Sequence, residues 1–214
     1  NNSGNNSLTN TTQSTTSNNN NSTVFTHPGI LHSAESFTYM KNTVTANTSP
    51  NADTFRVLLS TGFSNASWNP RAVDVIIRGG NGDNVSKLYI DIARAYQCAL
   101  IWKINGSAAH GEAACRILNA WSSTLTTISG NADRYLASGL FGYQFANIAE
   151  IMRDHPSFKL AQFKSMLLNV FYSMNERFLI GNEWGSDHND AYISNYWANW
   201  DLCNMASVVA IGIF

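Results

Sequence analysis

Apolar residues recur with a helical period from about residue 84 almost to the end of the chain. In the first such stretch Leu88, Ile92 and Tyr96 lie on one stripe, which is the spacing of an amphipathic helix. One helix is predicted over about residues 84–104 with Asn84 as its cap, and the next begins after a cap at Ser107. Further helices are predicted over about residues 134–153, over about residues 159–178, and from near Asn195 to the terminus. Most are apolar on more than one stripe, so each is expected to pack on two sides. Several connections are short, which favours antiparallel neighbours. The pattern predicts an all-α protein, a layered or ring-like array of helix pairs.

The first part of the chain has a different composition. Residues 1–23 are Asn, Ser and Thr apart from Gly4, Leu8 and Gln13, so they have too few apolar groups to offset the entropy of ordering. A disordered tail is therefore predicted over residues 1–23, followed by one folded domain over residues 24–214.

Residues 33–83 are predicted to hold short helices and a long loop. The first helix starts near Ser33, with Phe37 and Met40 facing inward, and a second lies at about 51–60 inside a loop of residues 47–83. That loop closes with three glycines in Arg78–Asp83. A phosphate-binding loop is not expected there, because no strand is predicted before it and no Gly-Lys-Ser/Thr follows.

Two glycines fall inside the predicted helix 134–153. Gly139 and Gly142 each cost roughly 1 kcal/mol relative to Ala in a helix interior. Their presence predicts a close approach at this point by another helix or by a ligand.

Charge and hydropathy exclude two classes of partner. Thirteen Lys and Arg against 14 Asp and Glu give a net charge of −1, which lacks the basic surface of a nucleic-acid-binding protein. No stretch approaches the roughly 20 apolar residues of a membrane-spanning helix. Neither nucleic acid nor a membrane is therefore predicted as a partner.

The chain is rich in acceptor sites for N-glycosylation. The pattern Asn-x-Ser/Thr occurs five times within the first 21 residues and again at Asn47, Asn65, Asn84 and Asn105. Together with few Lys, these sites predict a secreted, extracellular glycoprotein, although an Asn-rich tail also produces such patterns by chance.

Cysteine and histidine predict no metal site and no cofactor. Cys98, Cys115 and Cys203 have no C-x-x-C spacing, and the five His are scattered without an i, i+4 partner. Cys98 and Cys115 could form a disulfide between adjacent helices or remain as buried free thiols, and the sequence leaves both open.

A dense polar and aromatic cluster occupies residues 184–201. Trp and Tyr rings stack on sugar rings and Asn amides bind hydroxyl groups, so the cluster indicates a carbohydrate site. On a helix Asn195 and Asn199 share one face. The alternative is that Trp197 and Trp200 are core residues and that Asn195 caps the helix. Among the carboxylates nearby, no pair stands out for glycoside hydrolysis.

Several segments together resemble one family of enzymes. They are Phe25–His32, Arg78–Gly82, Ala95–Lys103, Ile117–Ser122, Tyr143–Asn147 and above all Asn195–Asp201. In combination they resemble the alginate-lyase-like polysaccharide lyases, particularly the family 38 group of glucuronan and alginate lyases. The resemblance covers about residues 25–214.

The resemblance implies an α/α toroid that cleaves an anionic uronic-acid polysaccharide by β-elimination. A group must neutralise the substrate carboxylate while a base removes the C5 proton and an acid protonates the C4 oxygen. By similarity, Asn195 neutralises the carboxylate. His188 and Tyr192 are the candidates in this chain for the His and Tyr that related lyases use. The predicted substrate contacts are Trp197, Asn199, Trp200, Tyr143, Gln144 and Arg78.

The end of the chain suggests an alternative to a complete enzyme. Residues 206–214 end inside an apolar helix with no cap or polar tail, so a further C-terminal segment or a second chain is expected to complete the fold. The main catalytic His and Tyr would then lie beyond Phe214. The alternative function is a catalytically inert carbohydrate-binding protein or an enzyme fragment.

Overall fold

A computed structural model describes residues 25–180 and 199–214, and this part of the chain is mostly helical. The helices are α1 (Ala34–Thr45), α2 (Asn51–Ser60), α3 (Ser86–Asn105), α4 (Ala108–Thr124), α5 (Asp133–Met152), α6 (Leu160–Met166), α7 (Ser173–Ile180) and α8 (Asn199–Ile213). A 3₁₀ turn covers Gly62–Ser64, and a π-helical segment, Leu167–Tyr172, joins α6 to α7. Two short strands, β1 (Val75–Arg78) and β2 (Thr127–Gly130), form a parallel pair. The helical expectation is confirmed, and the small sheet is the departure from it.

The helix near Ser33 begins as the sequence predicts. The Ser33 hydroxyl accepts a hydrogen bond from the Ser36 N–H, and the Ser36 hydroxyl accepts one from the Ser33 N–H. This reciprocal capping satisfies two N–H groups that a helix start otherwise leaves unpaired. Phe37 is buried and Met40 is half-buried against the core, as predicted.

Helices α3 and α4 form an antiparallel hairpin. Gly106 ends α3 in the left-handed conformation with φ 78°, which a glycine adopts at little cost. Asp91 near the start of α3 bonds to Trp121 near the end of α4, whereas Trp102 and Gly111 meet at the hairpin end. The predicted antiparallel arrangement is therefore confirmed for this pair.

The sequence interpretation missed both strands. Residue Val75 pairs with Thr127 and Arg78 with Gly130, so two four-residue segments that are 52 positions apart lie side by side. The predicted loop over residues 47–83 consequently contains β1, and the statement that no strand precedes Arg78–Asp83 was wrong.

The Asn84 side chain makes hydrogen bonds to β1 instead of capping α3. Its Oδ1 accepts a hydrogen bond from the Ile77 N–H at 2.8 Å, and its Nδ2 donates to the Val75 carbonyl at 3.0 Å. Helix α3 begins two residues later, at Ser86. The short strand thereby gains a side-chain partner on the edge that β2 does not cover.

Helix α5 lies at the centre of the fold. It packs antiparallel to α6 and α7, since Ser138 bonds to Asn175 and Phe145 meets Phe163. It packs parallel to α8, since Asn204 donates to the Tyr135 carbonyl near both helix starts and Arg153 donates to the Phe214 carbonyl near both ends. Burial on several sides explains why the apolar residues of α5 are not confined to one stripe.

The two glycines of α5 are explained by α8. A Cβ added at Gly139 would lie 2.8 Å from the Asn204 nitrogen, and one at Gly142 would overlap the Ser207 hydroxyl. Of the two causes predicted for these glycines, the structure shows the approach of a helix. Among the described residues no helix is both long and apolar enough to cross a membrane.

Candidate functional site

An apolar cleft lies between α3 and α5. Its volume is about 400 Å³, which falls within the range of small-ligand sites, roughly 300–1,000 Å³. The lining residues are Leu31, Tyr89, Ile92, Ala93, Tyr96, Phe141, Tyr143, Gln144, Asn147 and Ile148. None of these carries a formal charge at neutral pH, and three are tyrosines. Such a surface provides aromatic faces together with hydroxyl and amide groups.

One edge of the cleft is built by an N-terminal segment, residues 27–32, that is held on α5. The Leu31 N–H donates to Asn147 Oδ1 at 3.0 Å, and the Gly29 N–H donates to Glu150 Oε2 at 3.1 Å. His27 Nδ1 lies 2.8 Å from Glu150 Oε1. Asn147 and Glu150 are three residues apart and share one face of α5, so two side chains fix the whole segment.

This attachment brings His32 to Tyr96. The His32 Nε2 atom lies 2.6 Å from the Tyr96 hydroxyl oxygen, and the two rings stack with centroids 6.0 Å apart. Burial lowers the pKa of His32 below its usual value. Burial, with a smaller effect of the nearby Tyr143, raises the pKa of Tyr96. At neutral pH the pair therefore consists of a neutral imidazole and a neutral phenol.

Two predicted substrate contacts line this cleft. Tyr143 is half-buried and Gln144 is exposed, and both belong to the middle of α5. The neighbouring Asn147 is 5% exposed and its Nδ2 donates to the Tyr143 carbonyl at 2.9 Å. Asn147 therefore holds the N-terminal segment, whereas Tyr143 and Gln144 can contact a ligand.

The other predicted contacts lie elsewhere. Arg78 ends β1 near Cys203 of α8: burial raises the pKa of this thiol, and the Arg78 charge partly opposes the effect. Asn199 is exposed at the start of α8. Trp200 is only 5% exposed and packs on Phe178 with ring centroids 6.1 Å apart. This burial corrects the predicted role of Trp200, because its ring belongs to a small core cluster, as the alternative interpretation proposed.

The remaining predicted residues lie outside the described part of the chain. These are the predicted carboxylate neutraliser Asn195, the candidate acid and base His188 and Tyr192, and the stacking candidate Trp197. Their roles stay predictions.

The cysteines are free thiols. Cys98 and Cys115 are buried and unpaired, so of the two alternatives left open by the sequence the structure has the free form. Burial raises the pKa of Cys98 to about 11 and that of Cys115 to about 12. Within residues 25–180 and 199–214, no group of three His, Cys, Asp or Glu side chains is arranged to hold a metal ion.

The predicted glycosylation sites differ in their surroundings. Asn47, Asn65 and Asn105 are exposed, and the Oδ1 atoms of Asn65 and Asn105 accept hydrogen bonds from the backbone N–H two residues further on. Asn84 is half-buried and uses both its Oδ1 and its Nδ2 to hold β1.

We expect glycans on Asn65 and Asn105 but not on Asn84 when the chain is secreted by a eukaryotic host. A glycan on Asn84 would be attached to Nδ2, the nitrogen that donates a hydrogen bond to the Val75 carbonyl. The measurement is peptide mass spectrometry after enzymatic deglycosylation in heavy-oxygen water. Asn65→Gln should remove one glycan from the intact mass and Asn84→Gln none. A labelled Asn84 in folded protein would contradict this expectation.

Sequence reasoning did not identify His32 or Tyr96 as site residues. Both occur in segments that carry the family resemblance, Phe25–His32 and Ala95–Lys103, so the signal was present. What the sequence lacked was the contact between them, which joins positions 64 residues apart.

The comparisons with known proteins identify no relative. No family model matches the chain, and neither a curated protein nor a solved structure matches it significantly.

Proposed function

We propose that this protein is a polysaccharide lyase that cleaves a uronic-acid polymer, glucuronan or alginate, by β-elimination. One observation carries the proposal: three of the segments whose combination resembles the lyase family meet at a single cleft. Leu31 comes from the first segment, Tyr96 from α3, and Tyr143 and Gln144 from α5. The next residue of the first segment, His32, bonds to the Tyr96 hydroxyl. Residues so distant in sequence converge with the chemistry that a sugar site needs.

The lining of the cleft suits a sugar chain. The rings of Tyr89, Tyr96 and Tyr143 provide faces for stacking, and the exposed amide of Gln144 can bond to hydroxyl or carboxylate oxygens. A carboxylate bound here would be held by neutral donors, because none of the described residues that line the cleft is charged. The amide of Asn195 is also a neutral donor, so it would stabilise the developing enediolate without gaining or losing a proton.

The fold that we propose is the α/α toroid of these lyases. Helices α5 and α8 run parallel, and the π-helical segment and α7, which run antiparallel to α5, pack against both. The α3–α4 hairpin adds a second pair whose first helix also contacts α5. Alternation of direction between successive helices is what a ring of helical hairpins requires, and it supports this proposal.

A second function belongs to a different class, an inert carbohydrate-binding protein. The observation that favours it is the uncharged lining of the cleft, since sugar binding needs stacking and amides but no acid or base. The two functions differ in their product. Elimination leaves a C4=C5 double bond conjugated to the carboxylate, which absorbs ultraviolet light, whereas binding alone produces no such signal.

The test is ultraviolet absorbance of the 214-residue chain with glucuronan, polymannuronate and polyguluronate in turn. We expect the absorbance to rise with one polymer. Asn195→Ala should then lower kcat about 100-fold or more, the usual cost of losing one donor to a developing anion. Asn169→Ala, an exposed Asn of the π-helical segment, is the matched control and should be unaffected. Binding without absorbance on all three polymers would support the binding protein instead.

A further inference from the structure

The contact between His32 and Tyr96 differs from the other polar contacts near the cleft. Asn147 and Glu150 make hydrogen bonds to backbone N–H groups of residues 27–32, which is a structural task. The Tyr96 hydroxyl, by contrast, belongs to a residue that lines the cleft, and its partner is the imidazole of His32, which is not one of the lining residues. A phenol that belongs to the wall of a cleft and is hydrogen-bonded to a base is placed for proton transfer.

We propose that Tyr96 and His32 form a proton relay that serves as the base of the cleft. Tyr96 is the catalytic residue that contacts the substrate, and His32 accepts the proton behind it. This inference rests on the proposed lyase function and names a base among the described residues. It differs from the sequence prediction, which considered His188 and Tyr192.

The relay moves two protons in one concerted step, and every proton and electron pair is accounted for. The C5–H bond of a uronate residue breaks and its proton passes to the Tyr96 oxygen, while the Tyr96 proton passes to His32 Nε2. The C5–H electron pair forms the C4=C5 double bond as the C4–O bond breaks. The leaving oxygen keeps the C4–O pair and takes a proton from water, and the imidazolium later returns its proton to water.

The relay removes an energetic obstacle. A tyrosine alone acts as a base only after ionising, and burial makes the ionised form of Tyr96 less accessible by raising its pKa. When the proton moves to His32 in the same step, no free phenolate has to form. His32 is suited to receive it, because its lowered pKa keeps the imidazole neutral at neutral pH.

Two helices contribute aromatic side chains next to the pair. Helix α1 contributes the ring of Phe37, 5.0 Å from the His32 centroid, and α5 contributes Tyr143, the titratable group that acts on Tyr96. Burial is the cause of the shift at His32. The neutral form of His32 therefore persists below the ordinary histidine pKa of about 6.5.

The test combines two variants with a pH profile on the polymer that the wild type cleaves. Tyr96→Phe and His32→Gln should each lower kcat at least about 100-fold, the usual range for loss of a general base, with KM nearly unchanged. The wild-type rate should stay high at pH 6.5 and fall at lower pH as His32 becomes protonated. His32→Gln can keep a hydrogen bond to Tyr96 but takes up no proton, so the residual rate should lose this acidic limb.

Matched controls separate the relay from folding. Tyr39→Phe, on the exposed side of α1, and His110→Gln, at the start of α4, should leave kcat and the pH profile unchanged. Urea midpoints show whether each variant is folded. A wild type that forms product while Tyr96→Phe keeps full kcat, or while His32→Gln keeps the acidic limb, overturns the relay alone. A wild type that forms no product on any polymer contradicts both the relay and the lyase function.

Discussion

Replacing Asp91 by Ala is expected to destabilise the protein by about 3–5 kcal/mol, the range observed when one partner of a buried charge network is removed. Asp91 is fully buried on α3. Its Oδ1 accepts from the Trp68 indole at 2.8 Å, and its Oδ2 accepts from the Trp121 indole at 2.9 Å and from the Arg71 N–H at 2.6 Å. The variant leaves three donors without their acceptor, one of them on the fully buried Trp121, and Arg71 loses its ion pair.

Urea unfolding with a two-state fit measures this loss. Asp91→Asn should be intermediate, because its one oxygen can serve the Oδ2 partners while its NH₂ group then faces the Trp68 indole N–H. Asp53→Ala is the matched control: this carboxylate is exposed and pairs with Arg56 on the surface of α2, so its effect should be much smaller. Equal midpoints for Asp91→Ala and Asp53→Ala would show that the buried network contributes little.

The helical periodicity predicted the helices well but not this network. Asp91 falls on the same face of α3 as Leu88 and Ala95, so a charged residue on an apolar stripe was a visible signal. Its partner Trp68 comes from an irregular segment before β1. Only the tertiary structure brings that indole to Asp91, because no periodic pattern relates the two positions.

The sequence predicted those helix boundaries that depend on interactions between neighbouring residues. The predicted helix 134–153 is observed as Asp133–Met152, and the predicted helix 159–178 is observed as α6, the π-helical segment and α7. Gly106, in the left-handed conformation, ends α3 after Asn105, close to the predicted end at about residue 104. These signals act within a few residues, so the sequence alone can carry them.

The strands and the cleft depend on contacts between distant residues. The two strands have four residues each, too few for an alternating pattern to be distinguished from a loop, and their pairing spans two whole helices. In the same way Tyr143 was predicted from its motif, but its neighbours Tyr96 and His32 became part of the site only through packing. The chemical role of a single residue could be predicted from the sequence, whereas the grouping of distant residues into one site could not.

Gly139→Ala is expected to destabilise the protein by about 1–3 kcal/mol, the usual cost of overpacking a tight contact. Alanine is the better helix former by up to about 1 kcal/mol, so intrinsic propensity alone predicts the opposite sign. The new Cβ would lie 2.8 Å from the Asn204 nitrogen and from the Cys203 carbonyl carbon, both backbone atoms of α8 that cannot rotate away. The whole of α8 would have to move away from α5.

Gly212→Ala is the control that isolates this contact. Gly212 is also helical, near the end of α8, and a Cβ added there meets nothing within 4 Å. That variant should therefore be neutral or more stable by up to about 1 kcal/mol, since only helix propensity changes. Urea midpoints of the two variants are expected to shift in opposite directions from the wild type. If Gly139→Ala were as stable as Gly212→Ala, α8 would not pack on α5 as closely as described, and the parallel α5–α8 pair on which the proposed toroid rests would lose its main support.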